Sequence, residues 1–224
     1  MLKPITLSPS ALNLFLECPK CFWLAQNKRI HRPAGAFPSL PGGIDAVLKK
    51  YFDKFRDKGE LPPEIKGKVT GRLLDNQELL DEWRNNRKGL RFYDKDLEAE
   101  LMGALDDCLI DGEYFIPVDY KTRGWLAKDD SHSYYENQLN VYTLLLEKNG
   151  YKHRGFAYLI FYSPNEAVGE AKILFNVEPR KVAVDSEAGY RVFQSAVKIL
   201  RGPQPKSHSA CQFCAWGNDF INFE

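Results

Sequence analysis

Residues 97–122 read LEAELMGALDDCLIDGEYFIPVDYKT, and the rhythm of this stretch decides the fold class. Leu97, Ala99, Leu101, Gly103 and Leu105 alternate with Glu98, Glu100, Met102, Ala104 and Asp106, the period of a strand with one buried face. Asp111-Gly112 is a dipeptide favoured in two-residue hairpin turns, and Tyr114, Ile116, Val118 and Tyr120 then alternate through a second strand. With that turn, Ile110 faces Glu113, and Asp106 faces Pro117, diagonal to Asp119. Even positions of the first strand share a face with odd positions of the second, so Asp106, Asp119 and Lys121 project to one side. Diagonal neighbours are about 7–8 Å apart, close enough for two short carboxylates to converge on one hard cation with an amine beside it. A one-residue bulge would turn Asp106 to the opposite face.

Outward from this hairpin the pattern becomes helical. Ser8-Pro9-Ser10 caps a strongly apolar first helix, with Pro19 placing a break before its last turn. Residues 30–43, with Pro33, Pro38, Pro41 and interspersed glycines, read as a loop. Ile44, Val47, Leu48, Tyr51, Phe52 and Phe55 form the stripe of a second helix ending at Lys58-Gly59, and a short helix is expected over 76–86. Downstream, a helix is predicted over 133–148 with Gln138 and Tyr142 on one stripe. Strands are expected over 156–162 and 172–177 around a Ser163-Pro164-Asn165 turn, and a last helix over 182–200. The alternation of strands and helices without repeat or linker predicts one α/β domain over residues 1–224.

The composition sets limits on function. Of 224 residues, 31 are Lys or Arg and 30 are Asp or Glu, so a net charge of +1 argues against coating nucleic acid by bulk electrostatics, while leaving room for a local basic groove. No apolar run approaches the ~18 residues of a membrane span, and Met1 to Thr6 lacks a secretory signal, so a soluble, cytoplasmic protein is expected. Serine or cysteine hydrolase triads and phosphate-binding glycine loops have no motif here.

An Asp/Glu-x-Lys triplet alone carries little weight, since Glu64-Ile65-Lys66 and Glu170-Ala171-Lys172 have it too. Asp119-Tyr120-Lys121 differs in its company. Gly103-Ala104-Leu105-Asp106, Val118-Asp119-Tyr120-Lys121-Thr122 and Gln138-Leu139-Asn140-Val141-Tyr142 together resemble the successive motifs of the PD-(D/E)XK nucleases. The closest branch in likeness is the RecB and AddB nuclease domains with the small CRISPR spacer-acquisition nuclease. Ser8-Pro9-Ser10-Ala11-Leu12 through Cys18-Pro19 is similar to the opening of that branch. The resemblance implies a restriction-endonuclease-like core, a mixed central sheet flanked by helices, with an N-terminal helical segment and a C-terminal cysteine tail. It also implies hydrolysis of DNA phosphodiesters, preferably single-stranded, by a water activated by Mg2+ or Mn2+. Asp106, Asp119 and the Tyr120 carbonyl would hold the ion. Lys121 would orient the water or stabilise charge, while Gln138 and Tyr142 would lie along the DNA. DNA repair, recombination or CRISPR adaptation, with protein partners of such a complex, would be the setting.

Two departures stand out. Where the branch has a histidine before the hairpin, this chain has Asp45, which reads either as a third oxygen ligand or as a negative charge favoured in a first helical turn. Where the branch has one N-terminal and three C-terminal cysteines, this chain has Cys18-x-x-Cys21 and Cys211-x-x-Cys214. Four thiolates suffice for an iron–sulfur cluster, with 4Fe–4S expected first, or for a structural Zn2+, with segments 1–42 and 201–224 meeting around it. Cys108, inside a strand, reads as a buried thiol. Glu98 and Glu100 read as solvent-facing alternation, with an outer-shell place near the ion as the alternative. Arg123, Lys128, Arg154 and Lys172, with Trp125 as a stacking surface, are candidate contacts to a nucleic-acid backbone. A rival function from another class is a nuclease-like fold that binds DNA or partners without cutting, its cysteine metal purely structural.

Overall fold

The computed structural model describes residues 5–33, 35 and 39–221, so Met1–Pro4 and part of the expected 30–43 loop lie outside the described residues. Strand β1 (Ile5–Leu7) leads into α1 (Pro9–Glu17), whose N-cap Ser8 hydroxyl accepts from the Ala11 amide at 3.3 Å. The break expected at Pro19 falls at Cys18, and Pro19 opens α2 (Pro19–Trp23), where its missing N–H would be unpaired in any case. Helix α3 (Ser39–Arg56) starts earlier than the glycines suggested. Pro41 is tolerated in a first turn, and the apolar stripe carries Gly42 and Gly43 into the helix. Strand β2 (Arg72–Leu73), α4 (Gln77–Arg84) and β3 (Leu90–Asp94) follow.

The long alternating stretch is not one strand. It divides into β4 (Ala99–Gly103), paired with β1 and β3 in a small sheet, and β5 (Asp107–Asp111), which belongs to the main sheet. The end of α4 captures the chain between them: the Leu105 amide donates to the Trp83 carbonyl at 3.1 Å, and Arg84 Nε donates to the Asp106 carbonyl at 2.7 Å. Strand β5 pairs antiparallel with β6 (Tyr114–Thr122), and the register places Asp111 opposite Tyr114 and Asp107 opposite Val118. The turn is therefore Gly112-Glu113, with φ +61° at Gly112, a conformation glycine adopts without strain. This register is two positions from the one expected. A shift of two preserves which residues share a face, so the convergence of Asp106 with Asp119 survives the error.

Helix α5 (Glu136–Lys148) crosses from β6 to its parallel neighbour β8 (Phe156–Val168), after which β9 (Lys172–Ala183) returns antiparallel. Ser163-Pro164-Asn165 is not a turn. It lies within β8 beside a bulge at Pro164/Glu166, and the chain reverses at Gly169–Ala171, where Glu170 and Ala171 have positive φ. Val182 and Ala183 close β9 rather than open the last long helix. That helix, α6 (Ser186–Arg201), starts after Asp185, whose side chain accepts from the Ala188 amide. Helix α7 (Gln212–Ile221) ends the described chain.

The main sheet runs β2-β5-β6-β8-β9, with the short β7 (Lys152–His153) beside the start of β6. Its central strands are buried on both faces, as parallel strands between helices are. Ile116, Val118, Tyr120, Tyr158 and Ile160 pack toward Phe52 of α3, whereas Ala157, Leu159 and Phe161 pack in the core with Leu139 and Val141 of α5 and Phe193 of α6. This mixed sheet flanked by helices is the restriction-endonuclease-like architecture expected from the sequence. Gly103 has a packing role: a Cβ there would stand 2.9 Å from Leu145 Cδ1 and 3.2 Å from the Tyr142 ring, so its absence lets α5 lie against β4.

Candidate active site

The C-terminal end of β6 carries Asp119 between two core residues, and alternation turns its side chain away from α3 and toward α5. It is only 1% exposed. Its Oδ1 accepts from Gln138 Nε2 at 2.9 Å, while the buried Oδ2 is ion-paired with Lys121 Nζ at 2.5 Å. Burial, reinforced by the negative charge of Asp106, pushes the Asp119 carboxyl up to about 7. Asp106, at the mouth of β5, accepts the Tyr120 amide on Oδ2 at 3.1 Å, so the two carboxylates sit on neighbouring strands at the same level. Lys121 Nζ donates to Gln138 Oε1 at 3.1 Å and stands 4.6 Å over the Tyr135 ring. Gln138 Nε2 also donates to the Tyr142 hydroxyl at 2.7 Å; burial and the nearby Asp119 and Asp106 charges hold that phenol well above its ordinary pKa.

Asp45 reaches this group through an intermediary that the sequence reading missed. Lys49, one turn later on α3, places its ammonium 2.8 Å from Asp45 Oδ2 and 2.8 Å from Asp106 Oδ1. The four-residue spacing of Asp45 and Lys49 was the available signal, one shared by many solvent-exposed helix pairs. The second missed feature lies behind the site. Asp107 points to the opposite face from Asp106 and is fully buried, accepting from Arg56 Nη2 at 2.7 Å, Arg84 Nη2 at 3.0 Å and the Tyr120 hydroxyl at 2.7 Å. Arg84 is itself held by both oxygens of Asp53, at 2.8 and 2.9 Å. Because Arg84 also grips the Asp106 carbonyl, this charged cluster fixes the backbone from which Asp106 projects.

Other expected contacts are not gathered here. Glu100 pairs with Arg91 at 2.8 Å, and Glu98 is exposed near Arg201, consistent with solvent-facing alternation. Arg154 pairs with Asp111 at the far end of β5, and Lys172 pairs with Glu170 at a hairpin tip. The Lys128 carbonyl accepts from Arg180. Arg123 lies just beyond β6 with its guanidinium 6.0 Å from the Phe161 ring, and Trp125, 86% exposed, follows on the same loop.

Two carboxylates on adjacent strands, a lysine two residues after the second and a glutamine on a crossover helix that bridges that lysine and the second carboxylate form an arrangement suited to phosphoryl chemistry. A sequence model of the PD-(D/E)XK nuclease superfamily matches residues 6–218. The chain belongs to the PD-(D/E)XK nuclease superfamily. Membership makes it, in general terms, a metal-dependent nuclease whose substrate is nucleic acid. No curated protein matches the chain. Among the described residues of this PD-(D/E)XK chain, no helix is long and apolar enough to cross a membrane.

The same PD-(D/E)XK chain brings its two terminal cysteine pairs together. Cys18 and Cys21, at the start of α2, meet Cys211 and Cys214, around the start of α7, with all four sulfurs within 4.8 Å of one another. Cys21 Sγ is 3.6 Å from Cys211 and 3.5 Å from Cys214, and Cys18 is 3.8 Å from Cys214. Burial acts to raise the Cys18 thiol, but hydrogen bonds from the Cys21 and His208 backbone prevail and bring it down to about 6. Burial and the neighbouring thiols push Cys214 up. Arg32 Nη2 approaches Cys211 Sγ at 3.8 Å, placing a permanent positive charge beside the group. Four thiols this close can bind a metal. Cys108 is fully buried in β5, apart from them.

Proposed function

We propose that this nuclease is a Mg2+- or Mn2+-dependent deoxyribonuclease of the RecB/AddB-like branch that cuts single-stranded DNA, forming one domain. The observation that carries the reading is the convergence of two carboxylates, Asp119 and Asp106, on adjacent strands, with Lys121 Nζ 2.5 Å from the buried Asp119 Oδ2. Two carboxylates this close each oppose the other's ionisation, and a cation between them relieves that repulsion. The donor set is all oxygen, and Lys49 already shows that a positive charge is accepted between Asp45 and Asp106. Asp106, Asp119 and the Tyr120 carbonyl would hold the ion, with Asp45 at its edge. When bound, the ion supplies Lewis acidity to the phosphoryl oxygen and lowers the pKa of a water.

The remaining roles belong to the chain's own groups. Lys121, held over the Tyr135 ring and by Gln138, is placed to stabilise charge developing on the phosphate. Gln138, hydrogen-bonded to both Asp119 and Tyr142, keeps the carboxylate in its rotamer and offers its face to the nucleotide. Trp125, exposed beyond the same strand, suits stacking on an unpaired base, which supports a single-stranded substrate. Branch membership would place the activity in DNA repair, recombination or CRISPR adaptation, alongside protein partners.

Labelled single-stranded DNA incubated with and without Mg2+ or Mn2+ tests the reading. Cleavage should require the metal and fall at least about a thousandfold in Asp119→Ala; undiminished cutting in that variant defeats the assignment. The second reading, a DNA-binding or assembly subunit without chemistry, is favoured by Lys49 lying between two of the proposed ligands. It predicts DNA binding with no product under any divalent ion.

For the cysteines, separations of 3.5–3.8 Å for three sulfur pairs, with all four sulfurs within 4.8 Å of one another, support one tetrahedral ion, hence Zn2+, over the 4Fe–4S cluster expected first. A four-iron cluster carries each thiolate on a separate iron and needs wider spacing. A colourless preparation with about one zinc per chain is the expected result; a brown one containing iron rejects it.

A further inference from the structure

A cavity of about 290 Å³ opens beside the candidate active site, on the side of Gln138 and Tyr142. It lies near the lower end of the ~300–1,000 Å³ typical of small-ligand sites. Its walls come from four separate parts of the chain: Ser10 and Asn13 of α1, Asn86 after α4, Gly103 and Ala104 at the end of β4, and Gln138 of α5. Among the described residues no lining side chain is charged, so these walls offer no group to neutralise a phosphate. It is instead rich in amides and hydroxyls whose hydrogen-bonding capacity is only partly used. Asn13 accepts from Asn137 at 2.6 Å through Oδ1, leaving its amide nitrogen to donate, and among the described residues the Ser10 hydroxyl engages only that of Ser8 at 2.9 Å. The Asn86 amide makes no hydrogen bond among the described residues. Met102 adds an apolar flank.

A neutral concave site with amide donors and acceptors, a thioether wall and room for one ring system suits the edge of a nucleobase. Its position gives the ring a place in the reaction, because Gln138 lines the cavity and also donates to Asp119 at 2.9 Å. We infer that this cavity is a nucleobase subsite: it receives the base of a nucleotide flanking the scissile phosphate, with Asn13, Asn86 and Ser10 hydrogen-bonding the ring edge. The inference rests on the nuclease reading above and sharpens it. A base must leave any stack to enter, so unpaired strands are the substrate class that reaches the site.

The test uses the full chain and short labelled single strands in which one abasic residue is moved position by position. The wild type should show one register where loss of the base lowers kcat/KM about tenfold, mostly through KM. Asn13→Asp keeps the acceptor for Asn137 and removes the donor, and Asn86→Ala removes an exposed amide; each should lose a similar factor on intact DNA and little more on the abasic strand. Variants that match the wild type on intact DNA, or that lose equally on both strands, overturn the subsite. A second measurement separates this failure from failure of the nuclease reading. A fluorescent purine analogue placed at that register, or scanned along the strand if nothing is cut, should be quenched by the wild type and not by Asn13→Asp. Quenching without cleavage defeats the nuclease reading and retains the subsite; cleavage without such quenching overturns the subsite and retains the nuclease.

Discussion

Asp106 and Asp107 are neighbours in sequence and opposites in surroundings. Asp106 reaches the half-open site, whereas Asp107 is fully buried against Arg56, Arg84 and the Tyr120 hydroxyl. A buried carboxylate with two guanidinium partners is costly to disturb, because removing one member strands the others without water. Asp107→Ala should therefore destabilise the protein by about 3–5 kcal/mol, read as a lower urea midpoint. A midpoint within error of the wild type would show that the cluster contributes nothing. Only the first of these aspartates was legible in the sequence. Strand alternation assigns Asp106 its side, and a two-residue shift in register leaves that side unchanged because side-chain direction has period two. Asp107 follows from no local pattern, since its two guanidinium partners come from α3 and α4, and a lone arginine on a helix looks like any solvated charge.

At the scale of elements, the order of strands and helices was readable, while several boundaries were not. The strand 97–110 failed as one unit because α4 captures Leu105 and Asp106, a tertiary contact that interrupts an otherwise continuous alternation. The last long helix starts later than its apolar residues suggest, because Val182 can serve equally in a strand buried against the core. Among the polar contacts that tie that helix to the β3–β4 hairpin, the one at Tyr190 yields a pH prediction. Asp94 is buried, which acts to raise its pKa, but the Tyr190 hydroxyl at 2.6 Å and the amides of Asp96 and Leu97 prevail and hold it below the usual carboxylate range. A depressed folded-state pKa means this stabilisation is present above the unfolded value of about 3.9 and is lost as pH falls through the lower folded value. Tyr190→Phe should thus cost about 1 kcal/mol at neutral pH, with the difference shrinking below pH ~4. Urea titrations of both proteins across that range check it; a difference constant with pH would mean the hydroxyl acts other than through the ionised carboxylate.

At the scale of the whole molecule, the described chain closes on itself. The sequence showed two cysteine pairs separated by nearly its full length, and pairing them was legible because four soft ligands in two short motifs have few other uses outside an oxidising environment. What spacing along the chain could not reveal is the sulfur geometry, which is set by how α1 and α2 lie against α6 and how the tail returns. Asn27 Nδ2 donates to the Leu200 carbonyl at 2.9 Å, and Trp23 Nε1 to that of Gly202 at 3.1 Å, so the ends are already aligned by hydrogen bonds before any ion is considered. A metal bound there acts on a prepared site and stabilises by favouring the folded state over an unfolded chain whose pairs are far apart. Cys214→Ser leaves three thiols and a weaker ligand, so bound metal should fall well below one per chain and the melting temperature should drop by about 10 °C or more. A strong chelator should reproduce the drop in the wild type and have little effect on the variant. Equal melting temperatures for wild type, variant and chelated protein would mean that the hydrogen bonds at Trp23 and Asn27 hold the ends together without a metal.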